Sequence, residues 1–387
     1  MDAKLQAVRA ALPALSRAVY LNNGTTGPLP APAAEAMAAA LQEELTGGRT
    51  GEAYFRRTFG LAQELRQLLA AVLDAGPDAI ALTGSTTEGV NIALWSLDWQ
   101  PGDEVVSANT EHPGVLFPLF SLRDRRGVTV RLADLLEPGQ DVVAALERLI
   151  TPRTRLVAIS HVAWSTGELY PVEEIAAMCR AHRVLLLVDG AQAAGVVPLR
   201  LRECGADFYA LPGQKWLLGP EGTGALYVRA ERLPEVRNTF AGYVSAQAWH
   251  RSGFLPHPGA RRFEYGLRHP VSLAGLLAAV RWLRDEVGLP WAMERSHALA
   301  ARLRRHLQAI PGVRVITPER HAALVSFQIP GVRPEEAVRA LEERGFWVRS
   351  IDLPPAVRAS CGFYNTEEEI DGLAEAVADI ARGRGQR

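Results

Sequence analysis

The chain has 387 residues, 48% of them hydrophobic, and a formal net charge of −1. That length accommodates two or three domain-sized units around a large buried core, and the near-neutral balance, without any basic cluster interleaved with aromatics, argues against nucleic acid or an anionic membrane as a partner. The three cysteines, Cys179, Cys204 and Cys361, are an odd number without metal spacing, so neither a disulfide framework nor a metal site is expected and a reducing cytoplasm fits.

Residues 4 to 16 read as a short amphipathic helix, whose charges and lack of a continuous apolar run make it neither a secretory signal nor a membrane anchor. Val19-Tyr20-Leu21 is extended and leads into the turn-rich Asn22-Asn23-Gly24-Thr25-Thr26-Gly27-Pro28, in which Asn23 is a candidate substrate contact. Helices are expected over 32–45 and 57–73, where Ala, Leu, Glu and Gln dominate and apolar residues recur at three and four. Short apolar runs then alternate with helices, at 79–82, 104–107, 128–130, 156–159, 184–188, 208–210 and 225–228. Runs apolar on both faces with helices between them describe an α/β fold, a mostly parallel sheet buried between helical layers. In open sheets of this kind ligands sit at the carboxyl ends of the strands.

After Arg229 the pattern weakens through a region carrying Gly242, Trp249, Gly253 and Pro256, expected to be surface or subunit-interface loop. Helices at 271–287, 291–309, 334–344 and 366–381, with extended runs at 313–316, 323–327, 346–348 and 357–360, suggest a smaller α+β C-terminal domain. The expected division is 19–268 for the large domain, with 1–18 and 269–387 in the small one.

The residues following each run are the candidates for chemistry. Thr83-Gly84-Ser85-Thr86-Thr87-Glu88 opens a helix, where backbone N–H groups and the hydroxyls of Ser85 and Thr86 make either a phosphate cradle or an ordinary cap. Neither the dinucleotide fingerprint nor the Walker A pattern occurs. Glu111-His112-Pro113 follows the next run; His112 reads as an aromatic that stacks on a ligand ring and relays protons, or as a satisfied structural histidine. His161 and Trp164 are candidate pocket walls. Asp189 stands directly after 184–188 and reads equally as a helix cap and as the carboxylate that keeps a pyridinium nitrogen protonated, which makes such a ring an electron sink. Gln192 then reaches the phenolic oxygen of the same ring.

The chain holds two lysines, Lys4 and Lys215, against a large excess of arginine, and Lys215 lies in the glycine-rich Leu211-Pro212-Gly213-Gln214-Lys215-Trp216-Leu217-Leu218-Gly219. A desolvated amine forms an imine with a carbonyl, which a guanidinium does not. Lys215 is therefore either the attachment point of pyridoxal phosphate or a solvated loop charge. Arg358 has the planar fork that grips a carboxylate. Cys361, three residues on, falls on the opposite strand face and reads as packed.

Together Thr83-Gly84-Ser85-Thr86-Thr87-Glu88, Glu111-His112-Pro113, Ser160-His161-Val162, Asp189-Gly190-Ala191-Gln192, Gly213-Gln214-Lys215 and Arg358-Ala359-Ser360 resemble the class V aminotransferase family of pyridoxal-phosphate enzymes, in the right order over nearly the full chain. The resemblance implies the fold type I architecture of PLP-dependent transferases and a homodimer. It implies Lys215 joined to the cofactor, Asp189 at the ring nitrogen, His112 on the ring, Thr86 at the phosphate and Arg358 on the substrate carboxylate. Ser85, Trp164, Gln192 and Gln214 complete the expected cofactor-binding set. Departures matter for the reaction. Cysteine desulfurases of the family carry His where this chain has Gln214 and Ser where it has Pro212. They also carry a nucleophilic cysteine on the loop ahead of Arg358, and 346–357 contains none. The stretches around Thr87 to Trp95 and Lys215 to Gly222 are similar instead to the cysteine/cystine C–S lyases and the isopenicillin N epimerase-like branch. The implied activity is β-elimination of a sulfur leaving group from an L-amino acid, with Lys215 removing the alpha proton. Desulfuration, transamination and epimerisation remain open within the family, and a non-catalytic PLP-binding regulatory protein outside it.

Overall fold

The computed structural model of the chain describes residues 3–137 and 139–384. The strands are β1 (Val19–Tyr20), β2 (Ile80–Thr83), β3 (Glu104–Ala108), β4 (Thr129–Ala133), β5 (Thr154–Ser160), β6 (Leu185–Asp189), β7 (Phe208–Pro212), β8 (Gly224–Val228), β9 (Ala246–His250), β10 (Gly253–Pro256), β11 (Arg314–Val315), β12 (Leu324–Gln328), β13 (Phe346–Trp347), β14 (Arg349–Asp352) and β15 (Pro355–Ser360). The α-helices are α1 (Ala3–Ala10), α2 (Ala31–Gly47), α3 (Gly51–Val72), α4 (Thr86–Trp95), α5 (Pro113–Arg126), α6 (Val142–Glu147), α7 (Val172–His182), α8 (Pro270–Trp282), α9 (Leu289–Gln308), α10 (Pro334–Glu342) and α11 (Glu367–Arg384).

Seven strands form the large sheet in the order β2-β8-β7-β6-β5-β3-β4. Only β8 runs antiparallel to its neighbours, and the other six are parallel. Apolar runs such as Leu185-Leu186-Leu187-Val188 show why: with helices on both faces there is no wet side to alternate toward. One face packs Val157, Ile159, Leu186 and Val188 under α3, α7 and α8. The other packs Ala158, Leu187, Phe208 and Leu226 under α4 and α5. The expected division at 268/269 put α8 in the small domain, whereas Leu273, Leu276, Leu277 and Val280 of that helix lie in the core of the large sheet.

The second sheet is β11-β12-β15-β14, antiparallel throughout, and packs Val325, Phe327, Val357 and Ala359 against α9, α10 and α11. Here β14 falls between the extended runs expected at 346–348 and 357–360. The region after Arg229 holds the hairpin β9–β10 rather than loop alone, and its alternation is hidden because most of its residues are exposed. The N-terminal chain joins the small sheet: β1 pairs in parallel with β13, and Ser360 N donates to Leu21 O.

Candidate active site

The carboxyl ends of β3, β5, β6 and β7 face one cavity of about 190 Å³. It is lined by Ser85, Thr86, His112, Trp164, Asp189, Gln192, Gln214, Lys215 and Arg358, all anticipated, and by Gly24, Thr25, Thr87, Ala191, Pro212 and Arg349. Larger hollows exist elsewhere, but this one gathers the buried titratable groups at the strand ends, where an open α/β sheet places its ligands. Asn23 is not on its wall. That residue is buried behind it, its Oδ1 accepting from Tyr364 OH at 2.9 Å and its Nδ2 unpartnered. His161 is also behind the wall, bonded through Nδ1 to Tyr209 OH at 3.0 Å, so both are supports of the pocket and not its surface.

At the start of α4, Ser85 accepts from Glu88 N at 3.1 Å while Glu88 Oε2 accepts from Gly84 N at 2.6 Å. This reciprocal cap orders the first turn. The Glu88 carboxylate would oppose an anion there, but Arg268 pairs with it through Nη1 at 3.0 Å, leaving the N–H groups of the turn to set the local field.

His112 caps α5, its Nδ1 accepting from Gly114 N at 2.9 Å, which leaves any proton of the neutral ring on Nε2. Its ring meets Trp164 edge-on at 5.2 Å, and Trp164 is itself fixed by Nε1 donating to Thr110 O at 3.0 Å. Desolvation, followed by the charges of Lys215, Arg349 and Arg358, brings His112 down to about 4, so the imidazole is neutral at physiological pH.

Asp189 ends β6 and is buried, its Oδ1 accepting from Ala191 N at 2.8 Å. Among the described residues Oδ2 has no hydrogen-bond partner. Burial raises the carboxyl above its usual range and Lys215 partly offsets this. Beside it Glu111, on which the sequence reading placed no role, is buried and accepts from Ser160 N at 2.9 Å and Ser160 Oγ at 2.6 Å. With no cation next to it, desolvation pushes Glu111 up to about 8. Its proton spares Asp189 a second negative charge in the same low-dielectric corner.

Lys215 follows β7 in a loop tightened by Leu218, a buried non-glycine residue at φ 55°, a conformation that the packing around it must enforce. Gly27 N donates to Gln214 O at 2.8 Å. The Lys215 ammonium makes no ion pair among the described residues. Desolvation outweighs the pull of Asp189, and with Arg358 and Arg349 nearby the amine falls to about 8. Gln192 uses its amide on both sides, Nε2 donating to Gly24 O at 2.7 Å and Oε1 accepting from Trp216 Nε1 at 3.0 Å.

The opposite wall belongs to the small sheet. Arg349 of β14 and Arg358 of β15 are register partners, and both donate to the one hydroxyl Thr25 Oγ1, at 3.1 and 3.2 Å. Arg358 is 1% exposed and also donates to Trp164 O at 2.8 Å, while its Nε has no partner. Neither guanidinium faces a carboxylate among the described residues. Two buried-side cations sharing a single neutral oxygen are electrostatically uncompensated, which suits an anionic ligand. Arg349 was not anticipated; the only signal in the sequence is its place nine residues before Arg358, the span of a short hairpin. Cys361 lies in the small-domain core, fully buried and pushed up to about 12, and Cys179 and Cys204 are buried as well. No thiol lines the cavity.

The sequence profile described as Aminotransferase class-V matches residues 19–373. A probable cysteine desulfurase of Methanothermobacter thermautotrophicus is 31% identical, the match covering 97% of each chain. The isopenicillin N epimerase of Streptomyces clavuligerus is 32% identical over 93% of this chain and 94% of that one. Among solved structures, the cystine C–S lyase C-DES in complex with its reaction product cysteine persulfide superposes with a TM-score of 0.91 at 34% identity, covering 95% of this chain and 99% of that one. A mutant of C-DES with glycine covalently linked to the PLP cofactor aligns equally well. The apo cysteine desulfurase of Thermococcus onnurineus NA1 gives a TM-score of 0.88 at 26% identity, over 98% of both chains.

Proposed function

The chain belongs to the class V aminotransferase family, and from that membership we propose that this pyridoxal-phosphate enzyme eliminates the β-sulfur group of an L-amino acid carrying a second carboxylate, with cystine as the substrate of that description. The observation that carries the proposal is the pair Arg349 and Arg358, two guanidinium groups with no carboxylate partner among the described residues, on one wall of a cavity that lacks a thiol.

The lining fits the cofactor. An amine without a counter-ion, a carboxylate oxygen without a donor, a Gln214 amide with an unpartnered Oε1 and a capped helix start meet in one cavity. Lys215 would hold the aldehyde carbon, Asp189 the ring nitrogen, His112 the ring face, and Ser85, Thr86 and Gln214 the phosphate; Trp164 and Gln192 complete the walls. When bound, the cofactor supplies an electron sink for the pair left at the substrate alpha carbon.

The protein's own residues do the rest. Arg358 grips the alpha carboxylate and Arg349 the distal one, which fixes the substrate at both ends. Lys215 Nζ, ionising near pH 8, takes the alpha proton and can pass it to the departing sulfur, a task suited to a pKa close to the operating pH. Neutral His112 and the indole of Trp164 exclude water from that face. Loss of the β-sulfur group from cystine as cysteine persulfide then leaves a three-carbon enamine, which on release takes up one water to give pyruvate and ammonia. A desulfurase route needs a cysteine that receives sulfur, and the three thiols here are packed away from the cavity.

Incubation with cystine and measurement of pyruvate and released persulfide tests this; stoichiometric alanine with sulfur bound to the enzyme would overturn it. We further propose a cytoplasmic homodimer. Its support is the exposed aromatic set Phe240, Tyr243, Trp249 and Phe254 around the hairpin β9–β10, a patch suited to a second copy of the chain. No helix among the described residues is long and apolar enough to cross a membrane.

A further inference from the structure

The rim of the large sheet opposite the candidate active site holds a second cavity, of about 470 Å³, where β5 and β6 begin and β8 ends. A strand of five residues separates the two rims by about 17 Å at roughly 3.3 Å per residue, so nothing bound here touches the Lys215 pocket. Five arginines line it: Arg155, Arg180, Arg183, Arg229 and Arg232.

Its floor is held in place by a buried carboxylate. Asp207 is 4% exposed, accepts from Leu186 N at 2.9 Å, and through Oδ1 takes Arg232 Nε at 2.9 Å with Arg229 Nε at 3.6 Å. Arg229 is anchored further by two bonds to Ala206 O, at 3.2 and 3.1 Å. Those two guanidinium groups are therefore oriented rather than free to wander, which lowers the entropy a ligand must overcome. Arg155 is paired with Asp103 and Arg232 also meets Glu235. Arg180 and Arg183 have no carboxylate partner among the described residues. Three carboxylates against five guanidinium groups leave a local surplus of positive charge.

Gly205 makes the convergence possible. At φ +87°, a Cβ there would lie 2.5 Å from Ala176 Cβ, 3.2 Å from Arg180 Nη2 and 3.8 Å from Arg229 Nη2. A side chain would fill the gap between those two guanidinium groups, and glycine leaves it open.

We propose that this cavity binds a soluble phosphorylated small molecule carrying at least two negative charges. Its volume is that of a small-ligand cleft and not of a flat protein-docking surface. The arginines arrive from α7, the residue that ends it, the loop after β8 and the strand β5, so an acceptor with terminal oxygens in several directions suits them better than a planar carboxylate.

The test titrates inorganic pyrophosphate into the PLP-loaded enzyme by calorimetry at fixed ionic strength, with R180A/R183A, the exposed-surface control R148A/R339A, and sulfate and citrate as alternative anions. The expected result is saturable binding retained in the control and weakened about tenfold or more in R180A/R183A, with cystine turnover without pyrophosphate unchanged in both. Citrate equal to pyrophosphate would overturn the phosphoryl assignment. Sulfate equal to pyrophosphate, absence of saturable binding, or undiminished binding in R180A/R183A would overturn the site.

Discussion

Replacing Arg349 by alanine separates the two halves of the substrate grip. Its Nη1 and the Arg358 Nη2 share Thr25 Oγ1 at 3.1 and 3.2 Å, so the two nitrogens lie within about 6 Å of each other and the charges repel by about 3 kcal/mol at an effective dielectric of about 20. On the proposed assignment a dicarboxylate relieves that repulsion by engaging both groups, and a monocarboxylate engages Arg358 alone. A hydrogen bond to a charged group contributes about 1.5–3 kcal/mol, which is roughly 10- to 150-fold in kcat/KM at 1.4 kcal/mol per decade. R349A should therefore lose that factor on cystine while kcat/KM for S-methylcysteine changes less than threefold, because removing Arg349 also removes the charge opposing Arg358. Pyruvate release coupled to lactate dehydrogenase reads both substrates in one assay. Equal losses on the two would mean that both guanidinium groups hold the same carboxylate, and the assignment of a distal subsite would be wrong.

Other consequences are as direct. Lys215→Ala should abolish elimination and leave no borohydride-fixed label at position 215, while its elution on gel filtration matches that of the parent; residual turnover within tenfold of the parent would refute the proton-transfer role. Because Arg349 and Arg358 help hold the Lys215 amine down to about 8, R349A should move the basic inflection for recombination of apoprotein with the cofactor upward in pH, and a downward move would contradict the electrostatics. Cys361→Ala should keep cystine turnover within about twofold, since the thiol is buried in the small-domain core; loss of persulfide production with folding intact would restore a cysteine-dependent route. Glu111 has its folded pKa raised to about 8 from 4.5. The folded state then binds the proton more tightly than the unfolded state between these values, so its contribution is complete below about 4.5 and is lost as pH rises toward 8. Glu111→Gln, which does not ionise, should gain Tm relative to the parent on going from pH 5 to pH 8, and parallel pH profiles would show that Glu111 is already charged in the native protein.

Much of the cavity lining is readable from letters because it sits at strand ends, and strand ends are where apolar runs stop. Asp189 follows Leu185-Leu186-Leu187-Val188, and Lys215 follows Phe208-Tyr209-Ala210-Leu211-Pro212, so patterning and residue type coincide there. Arg349 escaped because three of the four residues in Arg349-Ser350-Ile351-Asp352 are polar, leaving no apolar run to announce a strand; its meaning comes from the cross-strand partner Arg358, a relation set by register. Glu111 escaped for a different reason: a carboxylate beside a histidine reads as solvated surface until the neighbouring strand is known to cover it. Asn23 was placed one step too far forward, since the turn presents Gly24 and Thr25 to the cavity and folds the asparagine back onto Tyr364. The assignment of α8 to the small domain followed from chain order, whereas Leu273, Leu276 and Leu277 find the larger apolar surface against the big sheet.

The opening stretch of the polypeptide works as a strap. It pairs with Phe346 and Trp347, touches Ser360, and then reaches Gln214 beside the reactive amine. Because Thr25 rides on that strap and receives both arginines, while Gly24 O accepts from Gln192 and Gly27 N donates to Gln214, this stretch pins the cations of the small sheet to the rim of the large one.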